Sequence, residues 1–444
     1  MKLKTLALSL LLGLQAIAAP SKPNFVFIFI DDMGYADIGP FGNTQLRTPH
    51  LDTLAKQGRK FTSYYATPVC SMSRASLLTG CYNSRVSLPG VIQPWFKIGL
   101  NPDEDTIADV LKKQGYATAC FGKWHLGHHP EFMPLRQGFD EYFGIPYSNN
   151  MLKGYGPKQD TPPLPLYQGE EIIETEPDQS QFTRRFTEAA IKFIRAKKDQ
   201  PFFVYLPHPM IHVPLFASAG FKGKSADGLV GDAIEEIDWS VGQITATLKE
   251  LNLEENTLVV FTSDNGPDRR DAPPFRGSKG STYEGGVREP CIMRWPGKIP
   301  AATTCDQILG NIDMLPTFAK LAGATLNPNK TLDGMDVSSL LFDAAPKTVR
   351  DTHLYYDSTI GEVMAIRQGD WKLFLQIPVE KGGKGKGKKA NPDSGPALYN
   401  LKTDQAEAAN VAGEHPELVA RLKEEATRRN TEIMANQRPP GTLK

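Results

Sequence analysis

Short runs of apolar and β-branched residues recur along the chain and stop abruptly at polar residues. Four of these runs span residues 24–30, 116–121, 201–206 and 257–262. Runs of this length predict strands that are buried on both faces, as in a parallel sheet.

Segments with helical periodicity alternate with these runs. The predicted helices span five segments, residues 48–58, 106–115, 182–198, 233–251 and 311–323. Thr48, with Pro49 in the first turn, and Asp313 are the expected N-caps of two of these helices. The alternation predicts an α/β fold in which a large, mostly parallel sheet is sandwiched by helices.

The pattern changes in the last quarter of the chain. Alternating runs at residues 363–367 and 371–376 flank a Gln-Gly-Asp turn, and residues 416–429 have helical periodicity. These features predict a smaller C-terminal unit, an antiparallel sheet with a helix packed beside it. Residues 381–391, KGGKGKGKKAN, predict a solvated hairpin loop. The alternative is that these lysines hold a polyanionic substrate.

Polar clusters follow the four predicted strands. They are Asp31 with Asp32, Lys123 with His125, His208 with His212, and Asp264 with Asn265. Because ligands bind at the carboxyl ends of strands in open α/β sheets, we expect one site there. Oxygen ligands without cysteine thiolates suit a hard cation such as Ca²⁺ or Mg²⁺. Each cluster alone could be a turn or a helix cap, but four in equivalent positions favour a site.

The segment TPVCSMSRASLLTG, residues 67–80, contains a cysteine that such a site could use. Its Ala- and Leu-rich part predicts a buried helix that ends at Gly80. Cys70 and Arg74 would lie at the N-terminus of this helix, which favours anions. A thiol beside a guanidinium has a physical reason to be reactive, and the alternative is a buried, unreactive cysteine.

Composition narrows the classes of partner. The 444 residues include 50 basic and 50 acidic side chains, so no overall field points to nucleic acid. Anion selectivity must therefore be local. Without a C-x-x-C spacing, zinc is not expected, and the pairing of the cysteines other than Cys70 stays open. Those four are Cys81, Cys120, Cys291 and Cys305.

The N-terminus predicts export. Residues 1–19 combine a basic start, an apolar core and an A-x-A cleavage site, with cleavage expected after Ala18. Pro20 and Pro23 disfavour the alternative of an N-terminal core helix. A periplasmic or secreted location follows. Since no other stretch of the sequence is apolar enough for a transmembrane helix, stable membrane association is not expected.

Eight motifs between residues 24 and 320 occur in the order of a known family. They are FVFIFIDDMGYADIG, TPHLDTLAKQG, CSMSRASLLTG, GKWHLG, GIPYSNN, HVP, SDNG and GSKGSTYEGGVREP. The chain resembles the type I formylglycine-dependent sulfatases of the alkaline-phosphatase-like superfamily. GIPYSNN is most similar to the arylsulfatase A and N-acetylgalactosamine-6-sulfatase branch. After the signal peptide predicted at 1–18, the resemblance implies a catalytic domain at 19–325 and a C-terminal α+β subdomain at 326–444.

The resemblance also implies roles for individual residues. A maturation enzyme would oxidise Cys70 to formylglycine (3-oxoalanine), which hydrates to a gem-diol. One Ca²⁺ would be held by Asp31, Asp32, Asp264, Asn265 and residue 70. The catalytic positions would be Cys70, Arg74, Lys123, His125, His212 and Lys279. Lys123, Ser148, His212 and Lys279 would contact the substrate, whereas His208 would either support these residues from behind or be structural.

The implied reaction is hydrolysis of sulfate esters, with a sulfated carbohydrate as the expected substrate. One diol hydroxyl would attack sulfur to form a covalent sulfoenzyme, and His125 would deprotonate the second hydroxyl, which expels sulfate. His212, with or without help from Lys279, would protonate the leaving oxygen. Met72 replaces the proline or alanine of the family signature, which bears on conversion of Cys70. The alternatives are a phosphate or phosphonate monoesterase of the superfamily, or a non-catalytic glycan-binding protein with unconverted Cys70.

Overall fold

The computed structural model describes residues 22–88, 90–155, 161–357, 362–377 and 395–443. The predicted signal peptide and the lysine-rich segment at residues 381–391 lie outside the described residues. The strands are β1 (Asn24–Ile30), β2 (Arg59–Tyr65), β3 (Ile98–Gly99), β4 (Ala117–Lys123), β5 (Glu141–Ile145), β6 (Pro165–Gln168), β7 (Glu171–Thr175), β8 (Phe202–His208), β9 (Thr257–Ser263), β10 (Arg288–Arg294), β11 (Thr303–Cys305), β12 (Leu309–Gly310), β13 (Thr352–Tyr356), β14 (Val363–Gln368), β15 (Trp371–Phe374), β16 (Ala397–Asn400) and β17 (Gly441–Thr442). The α-helices are α1 (Pro49–Lys56), α2 (Cys70–Thr79), α3 (Ile107–Lys112), α4 (Phe182–Ala196), α5 (Gly228–Glu250), α6 (Glu284–Val287), α7 (Met314–Leu321), α8 (Ser338–Phe342) and α9 (Pro416–Ala435).

The predicted fold class is confirmed by a sheet of 11 strands within the described ranges. Its order is β11-β2-β10-β9-β1-β8-β4-β5-β6-β7, and β12 also pairs with β2. The central strands β9, β1, β8, β4 and β5 are parallel, whereas β10, β6 and β7 run antiparallel to their neighbours. The strands that precede the polar clusters therefore point the same way and end at one edge.

The central strand β1 separates two hydrophobic cores. Its Phe side chains, Phe25, Phe27 and Phe29, pack on one face of the sheet with residues of α2, α3 and α7. Its aliphatic side chains, Val26, Ile28 and Ile30, pack on the other face with residues of α1, α4 and α5. Burial on both faces explains why this strand reads as a continuous apolar run.

Thr48 and Asp313 occupy the N-cap positions of α1 and α7 as predicted, but neither side chain makes a cap hydrogen bond to its helix. The Thr48 hydroxyl accepts a hydrogen bond from the Gly39 N–H at 3.0 Å and makes no cap bond to α1. The Asp313 carboxylate accepts from the Gly310 N–H at 3.0 Å and pairs with Arg350 at 2.5 Å. The Thr48 side chain thus bonds to the loop before α1, whereas Asp313 closes a capping box with Gly310 at the turn before α7 and pairs with the distant Arg350.

Two helices are longer than predicted, and contacts outside each helix hold the added turns. Helix α5 begins at Gly228, and the Asp232 carboxylate in its first turns accepts three N–H groups from the preceding loop. Helix α9 continues to Ala435, where Ile433 is buried and Glu432 pairs with Arg85 at 2.7 Å.

The second, smaller sheet is antiparallel, in the order β13-β14-β15-β16. Its inner face packs against α9 through a cluster that includes Ile366, Leu373 and Leu422. The same cluster contains Val69 and Met72, which flank Cys70 in the sequence. The small sheet is therefore part of the wall behind the predicted nucleophile.

All five cysteines are buried free thiols. The question of pairing that the sequence left open is thus answered without a disulfide. No helix in the described ranges has both the length and the apolar character needed to cross a bilayer.

His208 is expected to make folding sensitive to acid. It is fully buried, 3.1 Å from the Ser240 hydroxyl, and burial lowers its pKa from 6.5 to about 3. The unfolded chain takes up a proton near pH 6.5 while the folded residue stays neutral. Its contribution to stability is therefore full above pH 6.5 and decreases toward pH 3, by about 1.4 kcal/mol per pH unit.

The measurement is the urea midpoint at pH 7 and pH 5. We expect His208→Asn to lose less stability between these pH values than the wild type loses. An unchanged pH dependence in His208→Asn would contradict the assignment.

Candidate active site

The predicted site residues meet at the carboxyl edge of the large sheet. Asp31 and Asp32 follow β1, Lys123 ends β4, and Asp264 follows β9. The Asp264 N–H donates to the Ile30 carbonyl at 2.9 Å, which joins the ends of β1 and β9. Helix α2 begins at the same edge, with Cys70 as its first residue, and ends at Gly80 as predicted.

Cys70 faces the imidazole of His125. Its Sγ lies 3.2 Å from Nδ1, while Nε2 lies 3.0 Å from the Ile92 carbonyl oxygen. A carbonyl can only accept, so Nε2 carries the proton and Nδ1 presents a lone pair to residue 70. Burial lowers the pKa of His125 well below 6.5, and Lys123 and Arg74 lower it further, so the ring is neutral.

Arg74 links the ends of three strands of the site, β1, β4 and β9, through hydrogen bonds. Its Nη2 donates to Asp264 at 2.7 Å and to Asp31 at 3.2 Å, and its Nη1 donates to the Lys123 carbonyl at 2.7 Å. The guanidinium thus donates to two carboxylates and one backbone carbonyl, and it interacts with Cys70 through its charge rather than through a hydrogen bond. Burial raises the pKa of the Cys70 thiol.

Two lysines each donate a hydrogen bond to one of the two aspartates that follow β1. Lys123 donates to Asp31 and lies 3.2 Å from the Ser148 hydroxyl, while Lys279 donates to Asp32 at 2.5 Å. Burial raises the pKa of Asp31, but Lys123 and the neighbouring cations outweigh it and hold the carboxyl ionised. Burial lowers the pKa of Lys279, yet the carboxylates outweigh it, so the ammonium stays charged.

His212 and Ser148 lie on the side of Asp32. The His212 Nδ1 donates to the Val213 carbonyl at 2.5 Å, and Nε2 lies 3.4 Å from the Ser148 hydroxyl and 3.9 Å from Asp32. Burial lowers the pKa of His212 below 6.5, and the opposing effect of Asp32 only partly offsets it. His208 lies outside this group, on β8 beside Ser240.

Three buried oxygens in the site point to a cation. Asp31 Oδ1, Asp32 Oδ2 and Asn265 Oδ1 have no hydrogen-bond partner among the described residues. Ligand atoms of Asp31, Cys70 and Asp264 lie within 4.8 Å of one another, as do those of Asp31, Asp32 and His212. Unpaired buried oxygens are costly, and a hard cation would satisfy them. The residues therefore form a candidate acidic metal site.

Backbone strain accompanies these side chains. Asp32 has φ of 65° and His125 has φ of 60°, both in the left-handed region that non-glycine residues seldom adopt. Such residues concentrate at functional sites, where the surrounding structure holds them in place. Sequence motifs did not reveal Ile92, because it contributes a backbone carbonyl that any residue could supply.

The fold and the site together define a hydrolase for an anionic ester. Residues 23–324 match the family described as sulfatase. Residues 278–382 match the C-terminal part of N-sulphoglucosamine sulphohydrolase, and residues 348–440 match the C-terminal region of aryl-sulfatase. The chain belongs to the sulfatase family.

Individual relatives agree with this assignment. Arylsulfatase A of Homo sapiens is 38% identical over 463 residues, which cover 94% of this chain and 89% of that protein. N-acetylgalactosamine-6-sulfatase of Canis lupus familiaris is 36% identical over 392 residues, which cover 82% of this chain and 73% of that protein. The crystal structure of the PsFucS1 sulfatase from Pseudoalteromonas sp. matches this fold with a TM-score of 0.86 and 28% sequence identity. The match covers 95% of this chain and 92% of that chain. The protein is a sulfuric ester hydrolase.

Proposed function

We propose that the protein is an exported sulfatase that removes sulfate from a sulfated carbohydrate, with formylglycine at Cys70 and one Ca²⁺. The observation that carries this proposal is the position of Cys70. Its Sγ lies 3.2 Å from the unprotonated Nδ1 of His125 and within the cluster of Asp31 and Asp264. A base thus faces the atom that would become the nucleophile, beside the metal ligands.

The oxygen donors support Ca²⁺ as the ion. Asp31, Asp32, Asp264 and Asn265 would hold it together with an oxygen of the formylglycine at residue 70, so every ligand atom would be an oxygen and no thiolate would take part. When bound, the ion would polarise the nucleophile and stabilise charge on the sulfuryl oxygens. The carboxylates of Asp31, Asp32 and Asp264 carry three formal negative charges. These equal the three formal positive charges of Arg74, Lys123 and Lys279. An added divalent ion would leave the site positive, which favours an anionic ester.

The nucleophile requires a modified residue 70. A maturation enzyme would convert Cys70, and the hydrated aldehyde would supply two hydroxyls, one to attack sulfur and one to expel sulfate. His125 Nδ1 is placed to take a proton from residue 70, since Ile92 fixes the ring by accepting from Nε2. This proton acceptor is needed when the second hydroxyl expels sulfate.

Lys123, Lys279, His212 and Ser148 would bind the substrate. Lys123 and Lys279 offer ammonium groups where negative charge develops on the sulfuryl oxygens. His212 would protonate the leaving oxygen from Nε2, which lies beside Ser148 and Asp32, and it would do so as an imidazolium because its Nδ1–H donates to the Val213 carbonyl. Arg74 would act on the carboxylates of the metal site and so orient them.

The carbohydrate substrate is supported by the relatives, since N-acetylgalactosamine-6-sulfatase is named for a sugar. Export is supported by the sequence of residues 1–18, which the structure does not describe. A phosphate or phosphonate monoesterase could use a similar metal site, and a glycan-binding protein could keep an unconverted cysteine.

Mass spectrometry of the Cys70 peptide from the native host tests the proposal. We expect the mass of formylglycine in place of cysteine, together with faster turnover of an aryl sulfate than of the matching aryl phosphate. A converted enzyme that prefers the phosphate would support the monoesterase. Unconverted cysteine, no turnover and retained binding of a sulfated glycan would support the binding protein.

A further inference from the structure

A buried charge cluster outside the active site joins the small sheet to the loop that carries Lys279. Lys372 on β15 is fully buried, and its Nζ donates to the Thr282 carbonyl at 2.7 Å and to Glu284 at 2.9 Å. The same ammonium lies 2.9 Å from Glu407. Both carboxylates are fully buried too. One lysine of the small unit thus sits between two glutamates.

Glu284 is the centre of this cluster. Its carboxylate accepts from the Tyr65 hydroxyl at 2.6 Å, from the Tyr355 hydroxyl at 3.2 Å and from Arg288 at 3.3 Å. Its backbone N–H donates to Glu407 at 2.7 Å. Donors from β2, β10, β13 and β15 therefore fix one side chain at the start of α6.

The short helix α6 touches two further parts of the active site. The Gly286 carbonyl accepts from the Gly266 N–H at 3.1 Å, next to the candidate metal ligand Asn265. The Val287 carbonyl accepts from the Ala66 N–H at 2.9 Å, in the segment that leads to Cys70.

The same helix also closes the loop around Lys279. The Gly285 N–H donates to the Arg276 carbonyl at 2.8 Å and so fixes the part of the loop that precedes Lys279. The loop itself is anchored where the Lys279 N–H donates to the Pro267 carbonyl at 3.1 Å. A shift of Glu284 would therefore move Lys279 relative to Asp32.

We infer that Lys372 is a positioning residue, which fixes Thr282 and Glu284 so that Lys279 stays where it can bind an anion. This inference rests on the proposed role of Lys279. A buried ion pair is seldom more stabilising than apolar residues of the same volume, so stability alone does not account for a lysine here. Lys372 contacts none of the reacting groups and acts only through the loop.

The test measures inorganic sulfate binding by calorimetry, with kcat and KM for an aryl sulfate, on the full Ca²⁺-loaded enzyme. We expect Lys372→Met to weaken sulfate binding by about tenfold to a hundredfold, as changes behind an active site commonly do. Arg350→Met is the matched control, because Arg350 is also buried and pairs with Asp313 at 2.5 Å outside this loop. We expect it to lower thermal stability but to leave sulfate binding within about twofold of the wild type.

Two further variants distinguish a failure of the proposed role of Lys279 from a failure of the positioning role of Lys372. Tyr355→Phe removes only one hydroxyl from the cluster and should weaken sulfate binding in the same direction, even if Lys372→Met fails to fold. Lys279→Ala tests the proposed role of Lys279 directly, and unchanged sulfate binding in that variant would refute that role. Weakened binding in Lys279→Ala, with wild-type affinity in Tyr355→Phe and in any folded Lys372→Met, would overturn our inference.

Discussion

Replacing Cys70 with serine is expected to abolish turnover of sulfate esters while leaving the fold intact. Residue 70 begins α2 in a fully buried helix, and serine differs from cysteine there by one atom. A serine hydroxyl can attack sulfur once, but it offers no second hydroxyl to expel sulfate. We expect kcat to fall by at least about 10³-fold, as when a nucleophile is removed. Intact-protein mass spectrometry should show a trapped sulfate adduct.

The production host must lack a maturation enzyme that converts serine. Ser76→Ala provides a matched control, because Ser76 lies on the same helix and its buried hydroxyl has no hydrogen-bond partner among the described residues. That variant should retain wild-type kcat. Turnover at the wild-type rate in Cys70→Ser would instead rule out the formylglycine mechanism.

The large sheet was predictable where strands are buried on both faces. The run at residues 24–30 became β1 because apolar side chains are required on either side of a central parallel strand. Strand β2 was missed, since its sequence RKFTSYY begins with two basic residues. Arg59 is nonetheless buried, because its guanidinium donates to the Leu340 carbonyl at 2.6 Å. A tertiary partner of this kind cannot be seen in local sequence.

The candidate site was predictable because its residues follow the ends of parallel strands. Asp31 and Asp264 are far apart in sequence, yet the parallel pairing of β1 with β9 brings both to one edge. Lys372 and Glu407 carried no such signal. A buried lysine looks like any surface lysine until the packing that surrounds it is known.

Met72 shows how a departure from a motif can have a structural reason. Its side chain is fully buried and belongs to the cluster that contains Tyr82, Ile312 and Leu354. Methionine fills irregular gaps between packed units. In the folded protein this position therefore joins α2 to the small sheet, and mass spectrometry of the Cys70 peptide measures its effect on conversion.

Chelation of the bound ion is expected to abolish turnover and lower stability, and added Ca²⁺ should restore both. The candidate ligands come from the ends of two adjacent strands, Asp31 and Asp32 after β1, Asp264 and Asn265 after β9. Without a cation, three of their buried oxygens lack partners among the described residues. At free Ca²⁺ of 100 times its Kd, binding adds about 2.7 kcal/mol to the free energy of unfolding. Thermal unfolding and aryl sulfate turnover, each with and without chelator, provide the measurement.

A matched pair of asparagine variants separates loss of the ion from general damage to the fold. Asn265 and Asn83 are both fully buried, and the Oδ1 of each lacks a partner among the described residues. Only Asn265 lies beside the acidic cluster, so Asn265→Ala should weaken Ca²⁺ binding while Asn83→Ala should not. Restoration by Mg²⁺ but not by Ca²⁺ would keep a hard-cation site and change the ion. An enzyme that is indifferent to chelation, with no divalent metal found by elemental analysis, would refute the metal site itself.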